Sequence, residues 1–165
     1  QDLLRRSYGG AILAESTSED LSYKRRSTIN SESKLAIAEK AARLIQDGDT
    51  IMMDSSTTCQ ALLQRLKGQK DITVITNSIR LMNDFMGSGF KMICTGGTMR
   101  ESSCALTGSL ASQTLEKYYV DFTFISCKGI DREKGIMESN ESAGRIKSII
   151  IQQALSLIHL RRCRR

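Results

Sequence analysis

The sequence has no proline and a single histidine, His159, and none of its five cysteines forms a Cys-x-x-Cys pair. With no proline and only 12 glycines in 165 residues, it is not a collagen-like repeat. The odd number and wide spacing of the cysteines indicate neither a disulfide framework nor a zinc site. One histidine beside an arginine-rich end does not support a Ser-His-Asp or Cys-His catalytic centre. Reduced thiols predict a cytoplasmic protein.

Long apolar runs are also absent. None approaches the roughly 18 to 20 residues that a membrane span needs, and the first residues lack the apolar stretch of a signal peptide. We therefore expect no membrane partner. Because 40% of the residues are hydrophobic, a chain of this length predicts one globular domain with a buried core.

Positive charge is concentrated at the C-terminus. The net charge is +6, and the four arginines within residues 161–165 account for most of it. We expect these five residues to form a disordered basic tail. A nucleic-acid-binding face would instead need Lys and Arg clustered on a folded element. The other basic run, Lys24-Arg25-Arg26, is expected to be a solvated loop.

Hydrophobic periodicity predicts alternating strands and helices. Helices are predicted at 34–46, 57–66, 78–86, 109–119 and 141–158, strands at 50–54, 71–76, 91–95 and 121–127, and a loop at 96–108. Such alternation indicates βαβ units and an α/β fold with a mostly parallel sheet covered by helices on both faces. Ligands of these folds bind beyond the carboxyl ends of the strands.

The turn after the first predicted strand reads Asp54-Ser55-Ser56-Thr57-Thr58 and leads into a helix. The helix N-terminus, several hydroxyls and small side chains suit a phosphate. An ordinary Ser/Thr helix cap is the alternative. The turn is not a P-loop, because no Gly-x-x-x-x-Gly-Lys surrounds it.

Polar or glycine-containing turns follow the other strands as well. Each has a structural alternative, as a helix cap or a turn residue. Together they offer anion donors, hydroxyl acceptors and a cation, which suits a small phosphorylated polyol. The candidates for binding its sugar portion are Asn77, Ser78, Gly96, Gly97, Arg100, Asp131, Glu141 and Lys147.

Cofactors are not expected. There is no Gly-x-Gly-x-x-Gly motif for a dinucleotide, and no cluster of His, Cys and Asp ligands for a metal.

These motifs, taken in order, resemble the C-terminal effector-binding domain of DeoR-family bacterial transcriptional regulators. The resemblance covers residues 3 to 155 and rests on many ordered segments. They are 4–11, 26–30, Lys34, 37–38, Ala41, 47–51, 54–58, 76–78, 96–100, Gly108, Asp121, 129–131, Gly135, Glu141 and Lys147.

The resemblance implies a Rossmann-like sensor domain, similar to ribose-5-phosphate isomerase and CoA transferases, that binds a phosphorylated sugar or related metabolite. It implies a non-catalytic repressor domain, with Lys34 and residues 54–58 as the phosphate site. A sugar-phosphate isomerase, with Asp131 or Glu141 as base, is the alternative. Residues 1–30 would follow a winged helix-turn-helix that contacts operator DNA, and residues 31–160 would form the sensor. A homo-oligomer, dimer or tetramer, is expected.

Two departures from the family pattern lead to further expectations. Ser56 stands where the family more often has glycine. If φ is positive at this position, a serine would strain the backbone. The family usually continues from the last helix into another strand, with a Leu-x-Asp-x-x-Lys pattern that residues 156–165 lack. We therefore expect a sheet edge that is left unpaired or exchanged with a neighbour.

Overall fold

The computed structural model describes residues 4–7, 10–13 and 21–159. The strands in these residues are β1 (Leu4–Ser7), β2 (Gly10–Leu13), β3 (Thr50–Met53), β4 (Thr73–Thr76), β5 (Lys91–Cys94), β6 (Thr98–Arg100), β7 (Ala105–Thr107), β8 (Val120–Ile125), β9 (Gly129–Asp131), β10 (Gly135–Met137) and β11 (Ala154–His159). The α-helices are α1 (Tyr23–Thr28), α2 (Ser31–Ala42), α3 (Thr57–Leu66), α4 (Ile79–Asp84), α5 (Ser109–Leu115) and α6 (Glu141–Gln152).

Five strands form a parallel sheet in the order β11-β8-β3-β4-β5. Read from β5, this is the strand order of a Rossmann fold, in which the first strand lies at the centre and the chain builds outward on both sides. Three antiparallel hairpins accompany the sheet: β1-β2, β6-β7 and β9-β10. The expected α/β fold is confirmed.

Two hydrophobic cores cover the two faces of the sheet, because successive side chains of a strand point to opposite faces. Ile51 and Met53 of β3 join the core formed with α2, α3 and α4. Met52, between them, joins the core formed with α5 and α6. All three side chains are fully buried.

The sequence explains where α3 and α6, one helix on each face, begin and what they bury. Ser56 caps α3 by accepting a hydrogen bond from the Cys59 amide, and Asn140 caps α6 in the same way. Apolar residues three and four positions apart then form one buried face on each helix. These are Cys59, Leu62, Leu63 and Leu66 on α3, and Ile146, Ile149 and Ile150 on α6.

The predicted helix 141–158 is wrong beyond Gln152. After Gln153 the chain forms β11, which pairs in parallel with β8 from Ala154 to His159. The expectation that the altered C-terminal sequence leaves β8 at an unpaired edge is therefore wrong too. Pairing with β8 gives hydrogen-bond partners to the backbone groups on one side of residues 154–159, and this long-range gain outweighs the helical pattern of their sequence.

Two segments predicted to be loops contain regular structure. Residues 96–108 hold the β6-β7 hairpin and a 3₁₀ turn, Glu101–Ser103. The basic run Lys24-Arg25-Arg26 lies in α1, which Ser22 caps at its N-terminus. The predicted basic tail, residues 161–165, lies outside the described residues.

No helix in the described ranges has both the length and the apolar character that crossing a membrane requires.

Candidate functional site

The topology fixes where a ligand crevice can form. From β3 the chain continues to β4 on one side, whereas β8 lies against β3 on the other side. In folds with this strand order the ligand crevice lies where the order reverses, which here is beyond the carboxyl ends of β3 and β8. The turn 54–58 follows β3, and Ser126, Cys127 and Lys128 follow β8.

Asp54 joins the two sides of this crevice. Its buried carboxylate accepts hydrogen bonds from the Ser56 amide at 3.0 Å and from the Ser126 amide at 2.9 Å. The Ser126 hydroxyl lies 3.3 Å from the same oxygen as its amide, and the Cys59 sulfur lies 3.4 Å from the other oxygen. Asp54 therefore organises the crevice by holding the loops after β3 and β8 together.

The turn residues 55–58 form the N-terminus of α3. Ser56 has φ of −84°, an ordinary extended conformation, so the residue is not strained there. Thr57 and Thr58 are buried, and Ser55 is half-buried. Amides of the first helical turn have no carbonyl partner inside the helix, and the helix dipole adds positive potential. This end of α3 favours an anion.

Lys147 reaches the crevice from α6. Its ammonium forms an ion pair with Glu138 and lies 3.9 Å from Asp54. Glu141, another candidate for sugar binding, is exposed in the first turn of α6. Of these two candidates, Lys147 is the one that the structure brings to the turn 54–58.

Lys128 is the centre of a group of positive charges. Its pKa is lowered by partial desolvation first, and then by the charges of Arg26, Lys147 and Arg100, while Glu138 opposes the shift. Three cationic side chains thus act on Lys128, and the carboxylates of Glu138 and Asp54 lie beside one of them, Lys147. Such a concentration of positive charge attracts an anion. We call Arg26, Arg100, Lys128 and Lys147 the cationic cluster.

The described contacts of Lys34 are with the backbone, and its contact with a phosphate remains a prediction. Its ammonium donates to the carbonyls of Arg26 and Ile29, the latter at 2.7 Å. Burial first, and then the charge of Arg26, lower its pKa. The Thr57 hydroxyl donates to the same Arg26 carbonyl, at 3.4 Å. Lys34 therefore holds the C-terminal end of α1 next to the start of α3.

The residues after β4 chiefly support the β6-β7 hairpin and α4. The Asn77 amide nitrogen donates to the Leu106 carbonyl at 2.8 Å. Ser78 caps α4 by accepting from the Leu81 amide at 3.2 Å. These contacts place both residues at the carboxyl edge of the sheet, and their contact with a ligand remains a prediction.

The glycines after β5 both have positive φ, 69° at Gly96 and 115° at Gly97. A Cβ at Gly97 would lie 2.5 Å from the Thr107 carbonyl oxygen, so the hairpin packs directly on this backbone. Arg100 ends β6 and donates to the Ser103 hydroxyl at 3.3 Å. The charge of Arg100 also acts on Lys128, another member of the cationic cluster.

Asp131 is exposed in the β9-β10 hairpin. One of its oxygens accepts from the amides of Lys134 and Glu133, and these bonds lower its pKa. This matches the turn-capping alternative, and its role in sugar binding remains a prediction.

Four residues near the crevice were missed by sequence reasoning: Arg26, Ser126, Lys128 and Glu138. Lys128 could have been found, since it follows the predicted strand 121–127, near whose end Ser126 lies. Arg26 belongs to the segment 26–30 of the family resemblance but was given no role in the site, and Glu138 carried no motif signal. Among the described residues, no group of His, Cys, Asp and Glu side chains is arranged to hold a metal ion.

Residues 29–160 match the family described as the DeoR C terminal sensor domain. The chain belongs to this family. The sensor domain is 38% identical over 161 residues to the HTH-type transcriptional repressor GlcR of Bacillus subtilis, covering 97% of this chain and 62% of that protein. It is 36% identical over 152 residues to the uncharacterized HTH-type transcriptional regulator YulB of the same organism, covering 92% and 58%.

A more distant relative is the Glycerol-3-phosphate regulon repressor of Escherichia coli. It is 28% identical over 155 residues, which cover 93% of the sensor domain and 61% of that repressor. The sensor domain thus spans about three fifths of the length of these curated relatives.

Among solved structures, the domain is similar to ribose 5-phosphate isomerase A of Methanocaldococcus jannaschii. The TM-score is 0.56 at 15% identity, over 79% of this chain and 52% of the isomerase. At that identity the likeness shows the fold alone. The expectation of a regulator domain rather than an enzyme is confirmed by the family and by the names of its relatives.

Proposed function

We propose that this sensor domain binds a phosphorylated sugar or a related phosphorylated metabolite at the carboxyl ends of β3 and β8. The observation that carries the proposal is the position of the Lys147 ammonium, which lies 3.9 Å from Asp54 in the turn that leads into α3. A phosphate dianion would accept charge-assisted hydrogen bonds from the cations. It would also accept hydrogen bonds from the backbone amides at the start of the helix.

The rest of the ligand would extend toward the polar ends of the neighbouring strands. The residues on that side are Asn77, Ser78 and those of the β6-β7 hairpin. Their hydroxyl and amide groups suit a polyol. The printed name of the Escherichia coli relative, Glycerol-3-phosphate regulon repressor, agrees with a small phosphorylated polyol as the chemical class.

Regulation would follow from linkage. An effector that prefers one conformation of a regulator changes its operator affinity by the difference in its own affinity for the two conformations. Operator contact would be made by a separate helix-turn-helix domain preceding the sensor, as the names of the relatives suggest. A dimer or tetramer would match a palindromic operator, which sedimentation of the regulator would test.

A thermal-shift experiment tests the proposal. The domain would be melted with phosphorylated sugars and polyol phosphates, each paired with its unphosphorylated form and matched in ionic strength. A ligand at 100 times its Kd adds about 2.7 kcal/mol to the free energy of unfolding. We expect at least one phosphorylated compound to raise Tm while its unphosphorylated partner does not.

Two results would contradict the proposal: no stabilisation by any pair, or equal stabilisation by both members of a pair. Equal stabilisation would show that the site recognises the polyol and not the phosphate. A Lys147→Gln variant should lose most of the shift, because it removes one cation of the cluster.

A further inference from the structure

The helix α1 connects the crevice to the N-terminal part of the chain. It starts at Tyr23, after a segment outside the described residues, and its C-terminal end lies beside the start of α3. Any domain that precedes the sensor must connect through this helix. A contact between α1 and a bound ligand would therefore be a direct route from the effector to that domain.

The backbone of α1 is attached close to the proposed phosphate position. The Arg26 carbonyl accepts hydrogen bonds from Lys34 and from the hydroxyl of Thr57, the first residue of α3. The Ile29 carbonyl accepts a second bond from Lys34. These bonds fix the last turn of α1 against the turn that follows β3.

Among the described residues, the side chain of Arg26 has fewer contacts with other elements of the fold than its backbone carbonyl has. Its guanidinium carbon lies 5.3 Å from the centre of the Tyr23 ring, and its Nε donates to the Leu21 carbonyl at 3.2 Å. Both partners belong to α1 or to the residue just before its cap. The carbonyl of Arg26 lies 3.4 Å from the hydroxyl of Thr57, so the residue stands beside the first turn of α3, where the anion is proposed to bind, and its charge also acts on Lys128.

We propose that Arg26 couples the anion site to the N-terminal segment: an anion bound at the cationic cluster engages the Arg26 guanidinium and holds α1 against the start of α3. The inference rests on the proposed function, since it needs an anion in the crevice. It adds that occupancy is sensed by α1 and names the residue that senses it.

The coupling can be distinguished from ligand binding itself, because each cation of the cluster comes from a different part of the chain. Lys128 follows β8 and Lys147 belongs to α6, and neither element leads to the N-terminus. Arg26 is the member of the cluster on α1. Its removal should therefore separate ligand binding from the response of α1, whereas removal of Lys128 or Lys147 should weaken both together.

Hydrogen–deuterium exchange of the 165-residue chain tests the coupling. The probes are inorganic phosphate and the phosphorylated compound with the largest thermal shift, with chloride at equal ionic strength as control. We expect the amides of residues 22–30 to exchange about fivefold more slowly, or slower still, in the bound protein. The variant Arg26→Gln should lose this protection at saturating ligand and bind about tenfold more weakly.

Arg25→Gln is the matched control, because Arg25 is an exposed arginine on the same helix. It should bind and protect α1 like the parent. Arg26→Lys keeps the charge and should restore protection, which makes the test independent of any folding defect in Arg26→Gln.

Three outcomes would overturn the coupling. Ligand binding to the parent without slower exchange in residues 22–30 contradicts it while leaving the proposed function intact. Equal protection in Arg26→Gln and Arg25→Gln at saturation also contradicts it alone. Absence of binding by either probe to the parent contradicts the proposed function together with the coupling.

Discussion

Replacing Asp54 by asparagine tests the account of how the crevice is built. Both carboxylate oxygens of Asp54 accept from backbone amides, one from Ser56 at 3.0 Å and the other from Ser126 at 2.9 Å. An asparagine has one oxygen and one NH₂ group, so in either orientation an NH₂ group faces a backbone N–H. Because Asp54 is buried, water cannot replace the lost acceptor.

The cost follows from the unsatisfied amide. Leaving a buried donor without a partner costs about 1 to 3 kcal/mol, so we expect Asp54→Asn to lower the free energy of unfolding by about 2 kcal/mol. For a domain of this size that corresponds to a fall in Tm of roughly 4 to 8 °C. Urea unfolding should show a lower midpoint with an unchanged m-value.

A matched control is available at Asp131. This exposed carboxylate caps two amides with a single oxygen, which an asparagine can supply equally well. Asp131→Asn should therefore shift the unfolding midpoint far less than Asp54→Asn, because the lost charge is exposed to solvent. If Asp54→Asn unfolds at the same urea concentration as the parent and as Asp131→Asn, the bridging role of Asp54 is refuted.

Three further substitutions test neighbouring parts of the account. Lys34→Ala should lower the free energy of unfolding by about 1 to 2 kcal/mol in urea titrations, because it leaves the Ile29 carbonyl without its donor and the Arg26 carbonyl with only the Thr57 hydroxyl; an unchanged midpoint would contradict this. The Tyr23 hydroxyl is buried without a partner among the described residues, and burial raises the pKa of Tyr23 above its ordinary value of 10.0. The contribution of the neutral Tyr23 hydroxyl to stability is complete below pH 10.0 and is lost as the pH rises further. Tyr23→Phe should therefore be at least as stable as the parent at pH 8 and should lose less stability near pH 11. A variant less stable than the parent at pH 8 would contradict an unpartnered hydroxyl. Gly97→Ala should cost about 3 kcal/mol in chemical unfolding, because its Cβ meets the Thr107 carbonyl, whereas Gly87→Ala, with open space and only a positive φ, should cost about 1 kcal/mol; equal costs would contradict the close packing.

The order of the central elements could be predicted because their hydrophobic patterns are local. Ile51 to Met53 and Val74 to Ile75 are continuous apolar runs, as expected for strands covered on both faces. The last strand, β11, could not be predicted in this way. No glycine or proline precedes residues 154–159 to end α6, and their pairing partner β8 is distant in sequence.

The site was predicted in part for a similar reason. The carboxyl ends of the strands were correctly located, and the turn 54–58 does begin α3 beside the crevice. The roles of its members depend on distant residues: Asp54 accepts from Ser126, and Lys34 donates to α1. The motif could not show that the charge of Arg26 acts on Lys128, because the two residues are about 100 positions apart in the sequence.

The central claim is that the cationic cluster binds phosphate, and calorimetric titration of two lysine variants tests it most directly. Lys128→Gln removes a member of the cluster, and Lys134→Gln removes the same charge from the exposed β9-β10 hairpin. With the phosphorylated compound that stabilises the parent, we expect about tenfold weaker binding for Lys128→Gln and parent affinity for Lys134→Gln. Equal affinities of the two variants would contradict a phosphate site at the ends of β3 and β8.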